Sequence, residues 1–201
     1  MFREAGATVC FGDSPGLDNA RQAAHGSGLI EAGSRVGAEW TDFSASVTVE
    51  NPAGRLATSF PLARPVTECD GLFNLPKAKT HQLTRVTGAV KNLFGCIPGK
   101  RKALYHVQHQ DVNDFSDLLA ELHLLLRPRL HVMDAIVAME GNGPRGGDPR
   151  PLHAVILSTD AVAVDATLCR LIGLEPEYVP PILRAAGAGV GVYQETQIEY
   201  V

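Results

Sequence analysis

The chain has 201 residues, 45% hydrophobic and 20% charged, with a formal net charge of −4. That suffices for one sizeable core, and the mildly acidic balance excludes a general nucleic-acid coat. No apolar run reaches the ~18 residues that span a bilayer, and the opening MFREAGATVCF does not read as a secretory signal. Cys10, Cys69, Cys96 and Cys169 are far apart with no CxxC pair. They read as reduced thiols of a cytoplasmic protein and exclude an iron–sulfur or zinc site built on closely spaced ligands.

In chain order, FREAGATVCFGDSPG predicts the end of a helix, a glycine stop, a short buried strand over 7–11 and a turn. Domains rarely begin with half a helix, so a leading β–α unit is expected upstream of Met1. Residues 18–37 predict one or two short helices, with Asp18 as N-cap and Gly37 as stop. SVTVENPAGRLATSF predicts an antiparallel hairpin over 46–60, because Val47 and Val49 alternate before a Pro–Ala–Gly turn. GLFNLP (71–76) reads as a short buried strand. Leu83 to Leu93 has helical character weakened by Gly88, with Gly95 just beyond. DVNDFSDLLAELHLLLRP is the clearest helix, with Asp114 as cap, Phe115, Leu118, Leu119, Leu122 and Leu126 as the apolar face and Pro128 as its end. RLHVMDAIVAMEG predicts a strand, GNGPRGGDPRP a turn-rich loop, and LHAVILSTD another strand. DAVAVDATLCRLIGL predicts a helix begun near Asp160, PPILRAAGAGVGV a helix ending in glycines, and QIEYV a last strand. The alternation predicts a single α/β domain over 1–201: three layers, a largely parallel sheet, one inserted antiparallel hairpin, and both ends cropped.

Ligands of such sheets bind beyond the carboxyl ends of the strands, and four polar loops are expected there: 12–16, 76–81, 140–148 and 158–165. One window stands out by charge. Lys77, Lys79, Arg85, Lys91, Lys100, Arg101 and Lys102 fall between Gly71 and Gln110, a stretch with no Asp or Glu; average composition would supply about four acids and about four bases. Crowded cations repel unless an anion neutralises them, and Gly88, Gly95 and Gly99 allow backbone to approach a ligand. The expected anion contacts are Lys77, Lys79, Asn92, Lys100 and Arg101. Asp13 is a turn residue or a metal or ribose contact, and Gly141 and Gly143 form a loop that can cradle phosphate. His81, His106 and His109 are the histidines of interest, with His106 and His109 as metal-ligand candidates. His123 and His131 read as structural. Asp134, inside an apolar strand, needs a partner from the basic window. Asp160 reads as a helix cap, with Asp165 one turn on.

The segments LPKAKTHQLTRVTGAVKNLFGCIPGKRKALYH, VMDAIVAMEGNGPRGGDPRPL and TDAVAVDATLCRLIGL together resemble the family catalogued as domain of unknown function 362, from GDSPG to the C-terminus. Many members carry a ferredoxin-type iron–sulfur segment; this chain lacks those cysteines, so no cluster is implied for it. Locally, His81…Gly88-x-x-Lys91…Pro98-Gly99…His106 is similar to the catalytic core of the nickel-pincer lactate racemase family. That resemblance implies His81 as acid–base, Lys91 as the lysine carrying a pyridinium-derived nickel cofactor, and His106 as nickel ligand.

Two function classes follow. One is an enzyme core, an oxidoreductase or a racemase-like isomerase, acting on a small anionic substrate by redox or proton-transfer chemistry through His81, Lys91 and His106, with a metal ion or phosphate-bearing cofactor. The other is a non-catalytic ligand-binding module or one that docks an acidic redox partner. Neither calls for a membrane. Nucleic acid is disfavoured, since only Phe94 and Tyr105 offer rings for base stacking in the window.

Overall fold

The structure is a computed structural model that describes residues 3–16, 19–99, 101–144 and 146–201. The expected cap Asp18 and the expected anion contact Lys100 lie outside the described residues. In chain order the elements are β1 (Cys10–Phe11), α1 (Ala20–Gly26), α2 (Leu29–Arg35), β2 (Glu39–Trp40), β3 (Ser46–Glu50), β4 (Ser59–Ala63), α3 (Arg64–Glu68), β5 (Phe73–Asn74) and β6 (Lys77–His81). There follow β7 (Arg85–Thr87), α4 (Ala89–Asn92), α5 (Arg101–Gln108), α6 (Val112–Leu126), β8 (Leu130–Asn142), β9 (Gly146–Ser158), α7 (Ala161–Leu171) and α8 (Pro180–Gly187). The class is mixed α/β: β1–β2, β5–β8 and β6–β8 are parallel, and the expected hairpin β3–β4 is antiparallel.

The chain divides into two compact units, the first comprising Met1–Glu50, Ser59–Cys69 and Gly95–Val107, the second Asn51–Thr58, Asp70–Phe94 and Gln108–Val201. In the first, Asn19 caps α1 by accepting the Gln22 N–H. Gly37, in the left-handed region, follows α2 as expected. The β3–β4 ladder pairs Val49 with Phe60; Phe60 and Leu62 are buried, and Phe60 stacks on Tyr105 of α5 at 6.1 Å between centroids.

In the second unit β8 is the central strand, with β5 and β6 on one side and β9 on the other, and β7 completes the sheet beyond β6. Period-2 alternation divides its faces. His131, Met133, Ala135 and Ala138 of β8 are buried, as are Phe115, Leu118, Leu119 and Leu122 of α6. Phe73, Leu75, Ile136, Val155 and Leu157 remain exposed. Asp111, not Asp114, caps α6, accepting the N–H groups of Asn113 and Asp114, because the helix starts at Val112 and leaves Asp114 in its first turn. Arg127 in the left-handed region closes the helix before Pro128. Asp160 caps α7 as expected.

Several local expectations are corrected. PKAKTH is not a loop but carries strand β6, in which Ala78 is buried while Lys77 is exposed and Lys79 half-exposed. The stretch from Leu83 to Leu93 is divided between β7 and the four-residue α4. GNGPRGGDPRP is the tip of a long hairpin, whose ladder pairs Glu140 with Asp148 and Val137 with Pro151. Its prolines are tolerated because β9 pairs only with β8 among the described residues, and an edge strand needs no ladder donor on its outer side. QIEYV is not a strand; a 3-10 turn occupies Glu195–Gln197. No helix among the described residues is long and apolar enough to cross a membrane.

Candidate functional site

The most built part of the basic window lies where β7 ends. Gly88 leads into α4, which carries Lys91 and Asn92. A helix this short cannot sustain itself, since nucleation is unfavourable, and a buried carboxylate holds it. Asp165 of α7 accepts the Ala89 N–H in a short hydrogen bond and the Val90 N–H at 3.1 Å. Asp165 is buried in a helix whose neighbouring residues are all apolar. Burial pushes its carboxyl up to about 7; the two N–H donors oppose the rise and the charge of Asp160 adds to it. Gly88 is required because any Cβ there would overlap the Asp165 carboxylate.

A second set of buried polar groups grips the same helix. Asn74, at the end of β5, donates to the Ala89 carbonyl at 2.8 Å, and its carbonyl oxygen accepts from the Asn92 amide at 2.8 Å. The Asn74 amide nitrogen also lies 3.0 Å from His131 Nδ1. With donors only on that nitrogen, His131 Nδ1 is the acceptor and the proton sits on Nε2. His131 stacks on His123 at 5.2 Å, and both Nε2 atoms are buried without a partner. Burial holds both imidazoles down at about 4, with the neighbouring His131 contributing to the shift of His123. Both are therefore neutral structural rings at pH 7, matching the expectation. The Lys91 ammonium lies 6.0 Å from the Phe94 ring centroid, and Phe94 meets Phe115 edge to face at 5.3 Å.

At the carboxyl end of β6, His81 Nδ1 accepts the backbone N–H groups of Leu83 and Thr84 at 3.1 and 3.3 Å. This fixes the neutral ring as the Nε2–H tautomer. The β8–β9 tip lies against the same strand end: Thr80 donates to the Gly141 carbonyl at 3.0 Å and Gln82 to Asn142 at 2.8 Å. Gly143 packs so tightly on Thr80 that a Cβ would overlap it. Gly141 and Gly143 thus belong to a tip pinned to β6. Lys77 pairs with Asp134 at 2.7 Å, the partner expected for that carboxylate, although Asp134 is half exposed and not buried. Burial pushes the Asp134 carboxyl up, but the Lys77 hydrogen bond, the Ile136 N–H and the Lys77 charge together bring it below its ordinary value. Arg85 lies over the Tyr178 ring at 5.9 Å.

The remaining expected residues fall in the first unit, apart from His109, which follows α5 in the second. The Asp13 carboxylate accepts the N–H of the next residue, Ser14, at 2.7 Å, and Ser14 Oγ accepts the Gly99 N–H at 2.7 Å. Burial pushes the Cys96 thiol up to about 12, Asp13 adding to the rise, while burial lowers Lys102 against Asp13. Arg101 and His106 lie on α5. Among the described residues no group of three or more His, Cys, Asp or Glu side chains is placed to hold a metal ion.

Sequence reasoning named Lys91 and Asn92 but missed Asn74 and the role of Asp165. The available signal was a lone Asp set among Ala161–Val164 and Ala166, apolar positions where a carboxylate needs a buried partner.

The fold and this site define a mixed α/β protein in which a buried carboxylate anchors a lysine-bearing turn. A family model described as "Domain of unknown function (DUF362)" matches residues 1–170, and the chain belongs to that family. It is 34% identical over 187 residues to a thylakoid-associated protein of Synechocystis sp., a match covering 90% of this chain and 56% of the relative. The chain thus spans little more than half the length of that relative. No solved structure matches it.

Proposed function

We propose that this chain is the core of an enzyme that transfers a proton on a small anionic organic substrate, with Lys91 as base and His81 as acid. One observation carries the reading: four hydrogen bonds from Asp165, Asn74 and Asn92 hold the single turn that presents Lys91. An unpaired buried polar group costs about 1–3 kcal/mol, and apolar packing would hold a turn without that risk. Such a network contributes position more than stability. Lys91 is half-buried at the end of that turn, and its amine is the group assigned to accept the proton. His81, held as the Nε2–H tautomer, is suited to donate one. Lys79 of β6 is assigned to contact the substrate anion. Redox chemistry and a metal ion have no residue set in this reading, and His106, His109, Arg101 and Asp13 have no role in it. A cytoplasmic location goes with it.

The test is solvent exchange. Pyruvate, lactate and similar short acids are incubated with the protein in D2O, and loss of the carbon-bound proton is followed by NMR. The expected result is exchange with at least one acid, abolished in Lys91→Ala and reduced at least tenfold in His81→Gln. No exchange with any acid sinks the enzyme reading.

A second reading, a non-catalytic docking module, is favoured by the exposed Val155 and Leu157 of β9 and by the relative's description as thylakoid-associated. Its test is co-sedimentation with phosphatidylglycerol vesicles or with an acidic redox partner such as ferredoxin. Binding lost in Leu157→Glu supports it, and binding unaffected by that change removes the sheet face from consideration.

A further inference from the structure

We infer that the open face of the β8 sheet is an interface on which a second copy of this chain docks about a two-fold axis. The face lies wholly within the second unit, and the inference is independent of the proton-transfer reading. Parallel sheets are generally covered on both faces, and here the two faces differ. On the packed side Asn74, Ala78, His131 and Met133 are buried, and α7 lies against β8 and β9. Leu75 and Lys77 alternate with Asn74 and Ala78 and face the other way. The Phe73–Leu130 and Lys77–Asp134 registers share one offset, which sets Leu75 level with Val132. Val132 in turn pairs with Leu157 of β9. Three apolar side chains thus form one row across the sheet, and Leu75 and Leu157 have 67% and 64% of their surface in water. The next row is Lys77, Asp134 and Val155. Val155 is 52% exposed and Ile136, just beyond, 51%. Single exposed apolar residues are ordinary, whereas a contiguous patch of them marks an interaction site.

Charge selects the occupant. In these two rows the charged side chains are Lys77 and Asp134, 2.7 Å apart and each about half exposed. They cancel, so the rows attract no partner by net charge, but they present a positive and a negative end side by side. Such a surface is complementary to itself when turned about a two-fold axis. An axis parallel to the strands, between β6 and β8, sets the partner's Lys77 over Asp134. It also sets the partner's Leu75 over Val132 and beside Leu157. The two ion pairs then alternate in sign around a ring of four, which fixes the register, while the apolar row supplies the burial. The face is three strands wide and roughly six residues long, about 14 by 20 Å at the usual strand spacing and rise. A contact of that size stands at the low end of specific interfaces, so dimers are expected at micromolar concentration and not below.

Sedimentation velocity of the full chain, run from low to high micromolar concentration, tests this. The wild type is expected to pass from monomer to dimer, and Leu75→Glu to weaken the dimer at least tenfold. Lys77→Glu alone and Asp134→Lys alone are each expected to stay monomeric, because like charges then face each other across the axis. Mixed in equal amounts, these two variants are expected to dimerise with one another, since the acid introduced at 77 meets the base introduced at 134. Circular dichroism checks that the three variants, all changed at exposed side chains, are folded. A wild type that is monomeric at every concentration overturns the inference, as does a dimer that Leu75→Glu leaves unchanged. Wild-type dimers with no association in the mixture overturn the two-fold pairing on which it rests. A monomer that instead co-sediments with phosphatidylglycerol vesicles, and loses that binding in Leu75→Glu, gives the face to lipid and overturns the second copy.

Discussion

The Asp165 carboxylate fills the space a side chain at Gly88 would need: the same oxygens that receive the Ala89 and Val90 N–H groups would be overlapped by any Cβ at 88. Gly88→Ala is therefore expected to push the carboxylate off both donors and destabilise the fold by roughly 3 kcal/mol or more, and Asp165→Asn by about 1–3 kcal/mol, since the amide turns a donor toward one of the two N–H groups. Urea unfolding with an unchanged m-value measures both. An Asp165→Asn midpoint equal to wild type would mean that the carboxylate does not anchor the turn.

The same residue predicts a pH signature. Asp165 titrates near 7 in the fold against an ordinary 3.8; its folded value is raised, so its stabilising contribution is full below about 4 and is lost as pH rises through 7. His123 and His131 are depressed to about 4 from 6.5. Their contribution has the opposite sense: it is present above 6.5 and lost as pH falls through 4. Two histidines oppose one carboxyl, so thermal stability is expected to rise from pH 4 to 6.5 and then level or fall toward 7.5. In Asp165→Asn the rise should steepen and the later fall disappear. A melting-temperature series across pH 4–8 decides it.

Glu121 of α6 captures the tip of the first hairpin. Its carboxylate accepts the N–H groups of Arg55, Leu56 and Ala57 at 2.8, 3.0 and 3.2 Å, and the Asn51 amide donates to the Ala57 carbonyl at 2.9 Å. Glu121→Ala is expected to cost about 1–3 kcal/mol and to speed hydrogen exchange at residues 55–57 at least tenfold. Unchanged exchange there would show that the tip holds itself.

Lys77 and Asp134 make a shorter contact yet should matter less. Their side chains are 48% and 50% exposed, and exposed pairs contribute at most about 1 kcal/mol. Lys77→Met should shift the unfolding free energy by under about 1 kcal/mol, well below the Asp165 variants.

Thiol chemistry should divide the cysteines in two. Cys10 and Cys69 are exposed, while Cys96 and Cys169 are buried, and burial pushes both buried thiols up to about 12. Native protein at pH 8 is expected to react at Cys10 and Cys69 with a thiol reagent, and at all four when unfolded, as peptide mapping would show. Rapid labelling of Cys96 in the native state would contradict the packing around it.

Much of the fold was legible because it is locally coded. The 3.6-residue spacing of Phe115, Leu118, Leu119 and Leu122 announces α6, the alternation of Val47 and Val49 announces β3, and Asp160 stands where a cap belongs. What failed shares a cause. PKAKTH looked like loop because its lysines outnumber its one buried alanine, yet strand identity there is set by pairing to β8. The glycines and prolines of 141–151 looked like a loop because turn residues dominate locally, yet an edge strand accepts them.

The α/β class, the helices α6 and α7, the family resemblance and the concentration of cations around Lys91 can all be read from residue order alone. That Asp165 holds Gly88–Asn92, that Asn74 sets the tautomer of His131, and that the cations are dispersed emerges only in the folded chain: Lys77 is matched by Asp134, Arg85 lies on Tyr178, and Arg101 belongs to the other unit. The reason is physical. Helix and strand periodicity act between neighbours a few residues apart, whereas a buried carboxylate 75 or 76 residues from its donors acquires its meaning only when packing removes water from both.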